Sequence, residues 1–372
     1  MKKILLGTTA VIALGTMSSE AFAADKIKLE LGGFMRHYVG LANNDEVAST
    51  RSDTARDKDL GQRSNTEIYF TGNTTLDNGI KVAARVEMEA DGAATNNIDR
   101  SWLTISSDAM GSMSVGNHPH FGSDNAVRVP NAGNFDWTDT GETWGAVATT
   151  STVASSAFAS AAHGSDFVSW GGDSAKLKYI SPNFSGVTVG ASYSAAEDGN
   201  ASNAARVTGG SFDSYAYGAS YSGDMGGVAL NASLTRGARA DIDRETTHFG
   251  LTVGMAGFTV GGGYADFDDR RSTLAAATES QNGKAWELGV AYATGPYSVS
   301  AAYMQDEKDG QSGIVGDDKD TKWNIAATYD MGAGVALTAD YYHSKADLEG
   351  TGTVANAART VSGVIAGIEV GF

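Results

Sequence analysis

Cysteine is absent from the 372 residues, so the chain has no disulfide, no thiol nucleophile and no cysteine metal ligand. Proline occurs only 4 times, whereas glycine occurs 47 times. Little proline and much glycine suit many short strands joined by tight turns. Positive charge is also scarce: the formal net charge of −17 would repel nucleic acid, so we expect no nucleic-acid partner.

Long apolar runs are missing as well. A membrane-spanning helix needs about 20 predominantly apolar residues, and no such run follows the first 23 residues. This excludes helical membrane spans. It leaves a membrane barrel open, because barrel strands alternate lipid-facing and lumen-facing residues and so have the average hydropathy of a soluble protein.

The first residues have the pattern of an export signal. Lys2 and Lys3 precede a mostly apolar segment over 4–17, and a small-x-small pattern follows at 21–23. This predicts a signal peptide over 1–23, cleaved between Ala23 and Ala24. An uncleaved anchor is the alternative. Residues 24–372 are then a single domain.

Apolar and polar residues alternate with a period of two throughout the rest of the chain. In one segment Ile80, Val82 and Val86 alternate with Lys81 and Arg85. Only a strand places such sets on opposite faces. The alternation predicts sixteen strands, at approximately 26–42, 62–76, 80–91, 99–107, 111–118, 173–181, 186–196, 211–222, 227–237, 245–256, 257–267, 283–294, 296–306, 320–330, 334–345 and 360–372.

The connections between these segments alternate between short and long. Every other one is a short turn rich in Gly, Asn and Asp, and the intervening ones are long and polar. This asymmetry is typical of bacterial outer-membrane barrels. The fold class predicted is therefore all-β, a transmembrane antiparallel barrel of about 16 strands. A soluble sandwich is the alternative, but it gives no reason for alternate connections to be short.

Two segments resemble a known family. The stretch at 175–186 reads AKLKYISPNFSG and is similar to the Tyr-x-Ser-Pro-x-Phe-x-Gly signature of sixteen-stranded general diffusion porins of the α-proteobacterial type. The chain also ends in Phe372 on an alternating strand, as such porins do. The resemblance covers the whole chain after the predicted signal.

This resemblance implies a function and a set of partners. It implies a water-filled outer-membrane channel, without enzymatic activity, for passive diffusion of ions and small hydrophilic solutes. It also implies a homotrimer in contact with outer-membrane lipid and lipopolysaccharide. Phe372 would be part of the signal recognised by the barrel-assembly machinery. A substrate-specific channel for sugars or oligosaccharides is the alternative, and an outer-membrane barrel enzyme is a remote one.

The connection over about 118–172 is far longer than the others, and a loop this long is usually functional. The resemblance implies that it folds into the lumen as a constriction loop; a solvated surface loop is the alternative. Apart from Arg128, its charged candidates are acidic, namely Asp124, Asp136, Asp139, Glu142 and Asp166.

An opposing basic wall is expected on the first four strands. Four arginines have the inward parity there, namely Arg36, Arg63, Arg85 and Arg100. An acidic loop facing these arginines would create a field across the lumen and sort ions by sign. The acidic loop and negative charge predict a weak preference for cations. Alternatively, each arginine pairs with a neighbouring inward acid such as Glu67, Glu87 or Glu89, and both arrangements can hold together.

No cofactor is expected. His118 and His120 are too few for a metal site. The acidic segments 266–269 and 317–320 are candidates for Ca²⁺ in outer loops, but neither has the ligand spacing of a dedicated Ca²⁺ loop. Neither a Gly-x-Ser-x-Gly nor a His-Glu-x-x-His motif is present, which removes two common hydrolase signatures.

Overall fold

The structure is a computed structural model of the whole chain. The residues that it describes are 26–45, 58–91, 98–133, 174–197, 212–239, 244–269, 282–309, 317–348 and 357–372. The predicted signal peptide and its cleavage site lie outside these residues.

Sixteen antiparallel strands form one closed barrel in which each strand pairs with its neighbours in sequence. This confirms the predicted fold class and strand number. The strands are β1 (Lys28–Asp45), β2 (Lys58–Thr75), β3 (Lys81–Glu89), β4 (Ile98–Ser107), β5 (Gly111–Asn117), β6 (Ala175–Ile180), β7 (Val187–Glu197), β8 (Phe212–Asp224), β9 (Ala229–Arg239), β10 (Arg244–Met255), β11 (Phe258–Asp269), β12 (Gly283–Thr294), β13 (Tyr297–Asp309), β14 (Asp317–Gly332), β15 (Val335–Leu348) and β16 (Ala357–Gly371).

The last strand closes the barrel against the first. Phe34 of β1 is in register with Gly371 of β16. Just beyond this pair, the Gly33 amide donates to the Phe372 carbonyl at 2.9 Å, and the Phe372 amide donates to the Gly33 carbonyl at 3.1 Å. Closure satisfies the backbone of both terminal strands, as a hydrocarbon environment requires.

The connections between strands that are described in full are short. They join β2 to β3, β4 to β5 and each later even-numbered strand to the next odd-numbered one. The β10–β11 turn consists of Ala256 and Gly257, with φ of 52° and 84°. Two consecutive positive φ values define the tight hairpin whose twist matches that of the strands. The short turns predicted from Gly, Asn and Asp are therefore confirmed.

The outer face of the barrel is apolar. Leu29, Val115 and Leu288 are 72%, 55% and 57% exposed, and they alternate with residues of the opposite face. Aromatic side chains of neighbouring strands pair, as in the stacked rings of Tyr297 and Tyr329, 5.0 Å apart. Such a surface is stable in lipid and would be unfavourable in water.

Several strands extend further than the alternation predicts. β11 continues to Asp269, in register with Arg244, and β14 begins at Asp317, in register with Asp309. The acidic segments 266–269 and 317–320 therefore lie in strands, and their expected place in outer loops was wrong. Backbone pairing continues past the last apolar residue because interstrand hydrogen bonds do not depend on side-chain type.

The only helix in the described part of the chain is the single turn α1 (Phe121–Asn125), which follows β5. No helix among those residues is long and apolar enough to cross a membrane. Phe121 is fully buried, and Val129, a few residues later, is also buried. The buried apolar cluster thus includes Val129 of this connection together with residues of the barrel wall.

Candidate functional site

The inner face of β1–β4 carries paired arginines. Arg36 Nε lies 3.3 Å from Glu369 Oε2 of the closing strand. The guanidinium of Arg36 also lies over the Phe34 ring, 4.2 Å from its centre. Arg36 is therefore held by a charge on one side and by an aromatic face on the other.

Arg85 of β3 makes three contacts of the same two kinds. Its Nε donates to Glu87 Oε1 at 2.6 Å. Its Cζ lies 4.2 Å from the Tyr69 ring centre and 5.7 Å from that of Trp102. About a third of the side chain remains exposed. Arg85 thus presents a charged, partly open group between two rings.

Arg100 of β4 shares the same carboxylate. Its Nη1 lies 3.4 Å from Glu87 Oε2, and its Nε lies 3.5 Å from Asp99 Oδ2. Glu87 is only 5% exposed. Burying a charge is costly unless it is paired and hydrogen-bonded, and two arginines supply both kinds of contact to this carboxylate. Arg63 lies on β2 in register with Tyr38, and its side chain is outside the described part of the structure.

Residues 118–133, which we call the inner segment, lie against the polar face of the later strands. His120 hydrogen bonds to Ser192 Oγ of β7 at 2.7 Å and to Ser214 Oγ of β8 at 2.9 Å, one through each ring nitrogen. The Phe121 amide donates to the same Ser192 hydroxyl at 3.0 Å. These contacts attach the start of the inner segment to the polar inner face of the barrel.

The inner segment is attached to further strands along the inner face of the barrel. Backbone amides of the inner segment donate at 2.8 Å to three wall side chains: Val127 to Ser233 of β9, Val129 to Glu287 of β12 and Ala132 to Ser300 of β13. Near its end, Asn324 Nδ2 of β14 donates to Asn131 Oδ1 at 3.2 Å. The inner segment therefore crosses from β7 to β14 along the inner face of the barrel.

Glycines of the wall make room for this crossing. A Cβ atom at Gly250 of β10 would collide with the Val127 carbonyl oxygen. One at Gly190 of β7 would collide with the Phe121 ring, and one at Gly289 of β12 with the Val129 side chain. The close approach of the inner segment therefore depends on the missing side chains at these positions.

The charges of the inner segment are paired with the wall. Asp124 forms an ion pair with Lys178 of β6, whose Nζ also donates to the Pro119 carbonyl at 3.2 Å. Arg128 Nε lies 3.5 Å from Glu287 Oε1. Among the candidate loop acids, Asp124 is described, and the other four, Asp136, Asp139, Glu142 and Asp166, lie outside the described residues.

Lys178 and Glu287 were not among the residues selected from the sequence. Lys176 and Lys178 alternate with Leu177 and Tyr179, which are exposed on the outer face. The alternation of apolar and basic residues in β6 could therefore have predicted two lysines on the inner face. Glu287 gives no comparable local signal, since its partners in the inner segment are about 160 residues away.

His118, at the start of the inner segment, is almost fully buried. Its Nδ1 lies 3.0 Å from the Pro119 carbonyl oxygen, and its ring meets Trp102 edge to face at 6.2 Å. Burial lowers the pKa of His118 from 6.5 to about 4, and the charge of Lys178 lowers it in the same direction. His118 is therefore neutral at physiological pH.

Comparisons with known proteins agree with this architecture. A sequence model of the Gram-negative porin family matches residues 8–348. No curated protein sequence matches the chain.

Solved structures of two porins and of a further outer membrane protein share the fold. An anion-selective porin from Comamonas acidovorans is 17% identical, with a TM-score of 0.59, over 93% of this chain and 100% of its own. A triple mutant of Rhodopseudomonas blastica porin is 18% identical, with a TM-score of 0.56, over 93% and 100%. A trimer form of in-vitro folded OmpT, an outer membrane protein of Vibrio cholerae, is 14% identical, with a TM-score of 0.56, over 94% and 100%.

The family match covers most of the chain, and the barrel has an apolar outer face, a polar inner face and no open edge. The chain belongs to the Gram-negative porin family and is an outer-membrane channel protein.

Proposed function

We propose that this protein is a general diffusion porin that lets ions and small hydrophilic solutes pass down their gradients. The observation that carries the proposal is a closed sixteen-strand barrel whose inner face bears charged side chains, including three described arginines on β1–β4. A barrel of this strand number encloses an aqueous channel. The role is passage of solutes and not catalysis.

In this proposal, residues of the inner segment and the rest of the connection over 118–172 narrow the channel. The hydrogen bonds from β7 to β14 support this role, because they hold the described part of the connection against one side of the wall. Arg36, Arg63, Arg85 and Arg100 line the side that the inner segment leaves uncovered. The loop acids Asp124, Asp136, Asp139, Glu142 and Asp166 complete the constriction.

We propose a weak preference for cations. The formal net charge is −17, and each described arginine of β1–β4 already has an acidic partner, so the wall has little uncompensated positive charge. The porin from Comamonas acidovorans is described as anion-selective, but at 17% identity the likeness concerns the fold alone. Reversal potentials across a planar bilayer with a salt gradient test this proposal, and an anion-selective potential would refute it.

We further propose a homotrimer, by analogy with the trimer form of the Vibrio cholerae protein. The barrel-assembly machinery would recognise the strand ending at Phe372, and the outer face would contact lipid and lipopolysaccharide. Light scattering of the detergent-solubilised protein tests the oligomeric state. Amino-terminal sequencing of the exported protein tests cleavage between Ala23 and Ala24, and a first residue other than Ala24 would refute it.

The most direct test of the channel is the conductance of purified protein in planar bilayers. We expect stepwise openings whose conductance rises in proportion to salt concentration, together with swelling of proteoliposomes in small sugars. Absence of both would refute the proposal. A barrel enzyme would instead require hydrolytic activity without conductance.

A further inference from the structure

Aromatic rings and arginine form a continuous row across β1–β4 on the inner face. We call Phe34, Tyr69, Arg85 and Trp102 the aromatic–arginine row. The rings of Phe34 and Tyr69 meet edge to face at 6.2 Å. Tyr69 and Trp102 lie on either side of the Arg85 guanidinium, at 4.2 and 5.7 Å. All four side chains are partly exposed, so the row is an accessible surface.

Two charged groups with spare hydrogen-bonding capacity flank Tyr69. Arg85 uses Nε to bind Glu87, and within the described residues its two Nη atoms have no hydrogen-bond partner. Glu67 accepts the Tyr69 hydroxyl through Oε2 at 2.8 Å. In the same described set, Glu67 Oε1 has no hydrogen-bond partner. A cationic donor and an anionic acceptor thus lie beside the same ring.

The neighbouring charges restrict the kind of solute that fits. Glu87 is occupied by Arg85 and Arg100, and Arg36 is occupied by Glu369. A simple aromatic anion would bind Arg85 but would be repelled by Glu67. A solute that carries both charges next to a ring satisfies Arg85 and Glu67 together.

We propose that the aromatic–arginine row is a weak binding site for aromatic α-amino acids in their zwitterionic form. The carboxylate binds the Nη atoms of Arg85, the ammonium group binds Glu67, and the ring stacks on Tyr69, which lies between them. The site rests on the proposed channel function, since the solute reaches it through the lumen. Weak binding suits transport, because a solute that binds too tightly does not leave.

The test is partial block of the ion current by added solutes in planar bilayers. L-Phenylalanine is compared with β-cyclohexylalanine, which has the same charges without the aromatic ring, and with phenylacetate, which lacks the ammonium group. We expect phenylalanine to bind about two- to tenfold more tightly than β-cyclohexylalanine, the range that aromatic pairing provides. We also expect phenylacetate to bind more weakly than phenylalanine.

Variants then locate the site. Tyr69→Leu and Glu67→Gln should each weaken the block by phenylalanine, whereas Tyr69→Phe should retain most of it. Tyr193→Leu is the matched control, because Tyr193 is 46% exposed on the outer face of β7. Phenylalanine should block the current of this variant as strongly as it blocks that of the unmodified protein.

Three results would overturn the site: equal block by phenylalanine and β-cyclohexylalanine, equal block by phenylalanine and phenylacetate, or normal block of the Tyr69→Leu variant. Each of these results counts only if the protein conducts ions in potassium chloride without added solute. Failure of that conductance would instead refute the proposed channel, so the two failures are distinguishable.

Discussion

Glu87 illustrates how single residues of the inner wall are stabilised. It is nearly buried, and its two carboxylate oxygens meet Arg85 and Arg100 separately. Removal of one arginine leaves the other to compensate the charge, so the wall tolerates loss of either partner better than an isolated ion pair would. The exposed side of Arg85 is then available to influence ions in the lumen.

Charge reversal at Arg85 is the first prediction at this scale. In Arg85→Glu the β1–β4 wall gains negative charge, so the reversal potential in a salt gradient should shift toward cation selectivity. Arg85→Gln should give a smaller shift in the same direction. Heat-modifiability on gels should show that both variants still form a barrel. Unchanged selectivity in both would mean that Arg85 is structural only.

A second prediction concerns the glycines beneath the inner segment. In Gly250→Ala the new methyl group meets the Val127 carbonyl, a backbone atom that cannot rotate away, so we expect a loss of about 1–3 kcal/mol in stability and an altered single-channel conductance. Gly254→Ala, on the same strand and face, has only ordinary contacts at 3.5 Å and beyond, and is the control. Equal behaviour of the two variants would contradict the assigned role of Gly250.

Residue positions were easier to predict than residue partners. The period of two identifies which face each arginine of β1–β4 occupies, because the face depends only on parity. The partner of Arg36 is Glu369, on the strand that closes the barrel. A contact of that sequence separation depends on closure and register, which one sequence does not specify.

At the scale of elements, the inner segment is the feature that distinguishes one half of the wall from the other. Four of its backbone amides donate to wall side chains on β7, β9, β12 and β13. Attachment through backbone groups depends less on the side chains of the segment than on those of the wall. The serines at these wall positions are small enough to admit the segment and still accept its hydrogen bonds.

The start of the inner segment should be sensitive to acid. His118 has its pKa lowered to about 4, whereas an unfolded chain takes up that proton near pH 6.5. The folded state disfavours the protonated form of His118. Its contribution to the free energy of unfolding is therefore complete above about pH 6.5 and decreases progressively as the pH falls toward 4. Lys176 and Lys178 disfavour the imidazolium further, and Asp124 opposes them.

Hydrogen exchange of residues 118–125 between pH 7 and 4 measures this effect. Protection, corrected for intrinsic exchange rates, should decrease across the range in the unmodified protein. In His118→Gln the decrease should be smaller, since glutamine does not titrate. The same decrease in both proteins would assign the acid sensitivity to another group.

Strand number followed from alternation and turn chemistry, but strand ends did not. The short turns have sequence requirements of their own, such as the positive φ of Ala256 and Gly257. At the opposite ends, polar strand residues pair as well as apolar ones, so the sequence pattern stops before the pairing does. This is why β14 begins three residues earlier than predicted.

At the scale of the whole molecule, closure links the two ends of the barrel. Gly33 and Phe372 exchange two backbone hydrogen bonds, and the Phe372 ring lies close to Gly33. Without them, the first strand would keep unpaired groups next to lipid. The closed order of strands could be predicted from this physical requirement, whereas the path of the inner segment could not.

Deletion of Phe372 should therefore reduce the amount of folded barrel in the outer membrane. The deletion removes both hydrogen bonds to Gly33 and the proposed assembly signal. The measurement is the heat-modifiable fraction in isolated outer membranes, with Phe372→Trp as the control that keeps the backbone and an aromatic ring. Equal folded fractions in the deletion and the control would contradict this role.

The central claim is that the closed barrel is a water-filled channel narrowed on one side by the inner segment. Single-channel conductance of the purified protein, measured in potassium chloride at several concentrations and with a salt gradient, tests it most directly. The account predicts discrete openings, conductance proportional to salt and a weakly cation-selective reversal potential. A protein that inserts as a folded barrel and carries no current would contradict it.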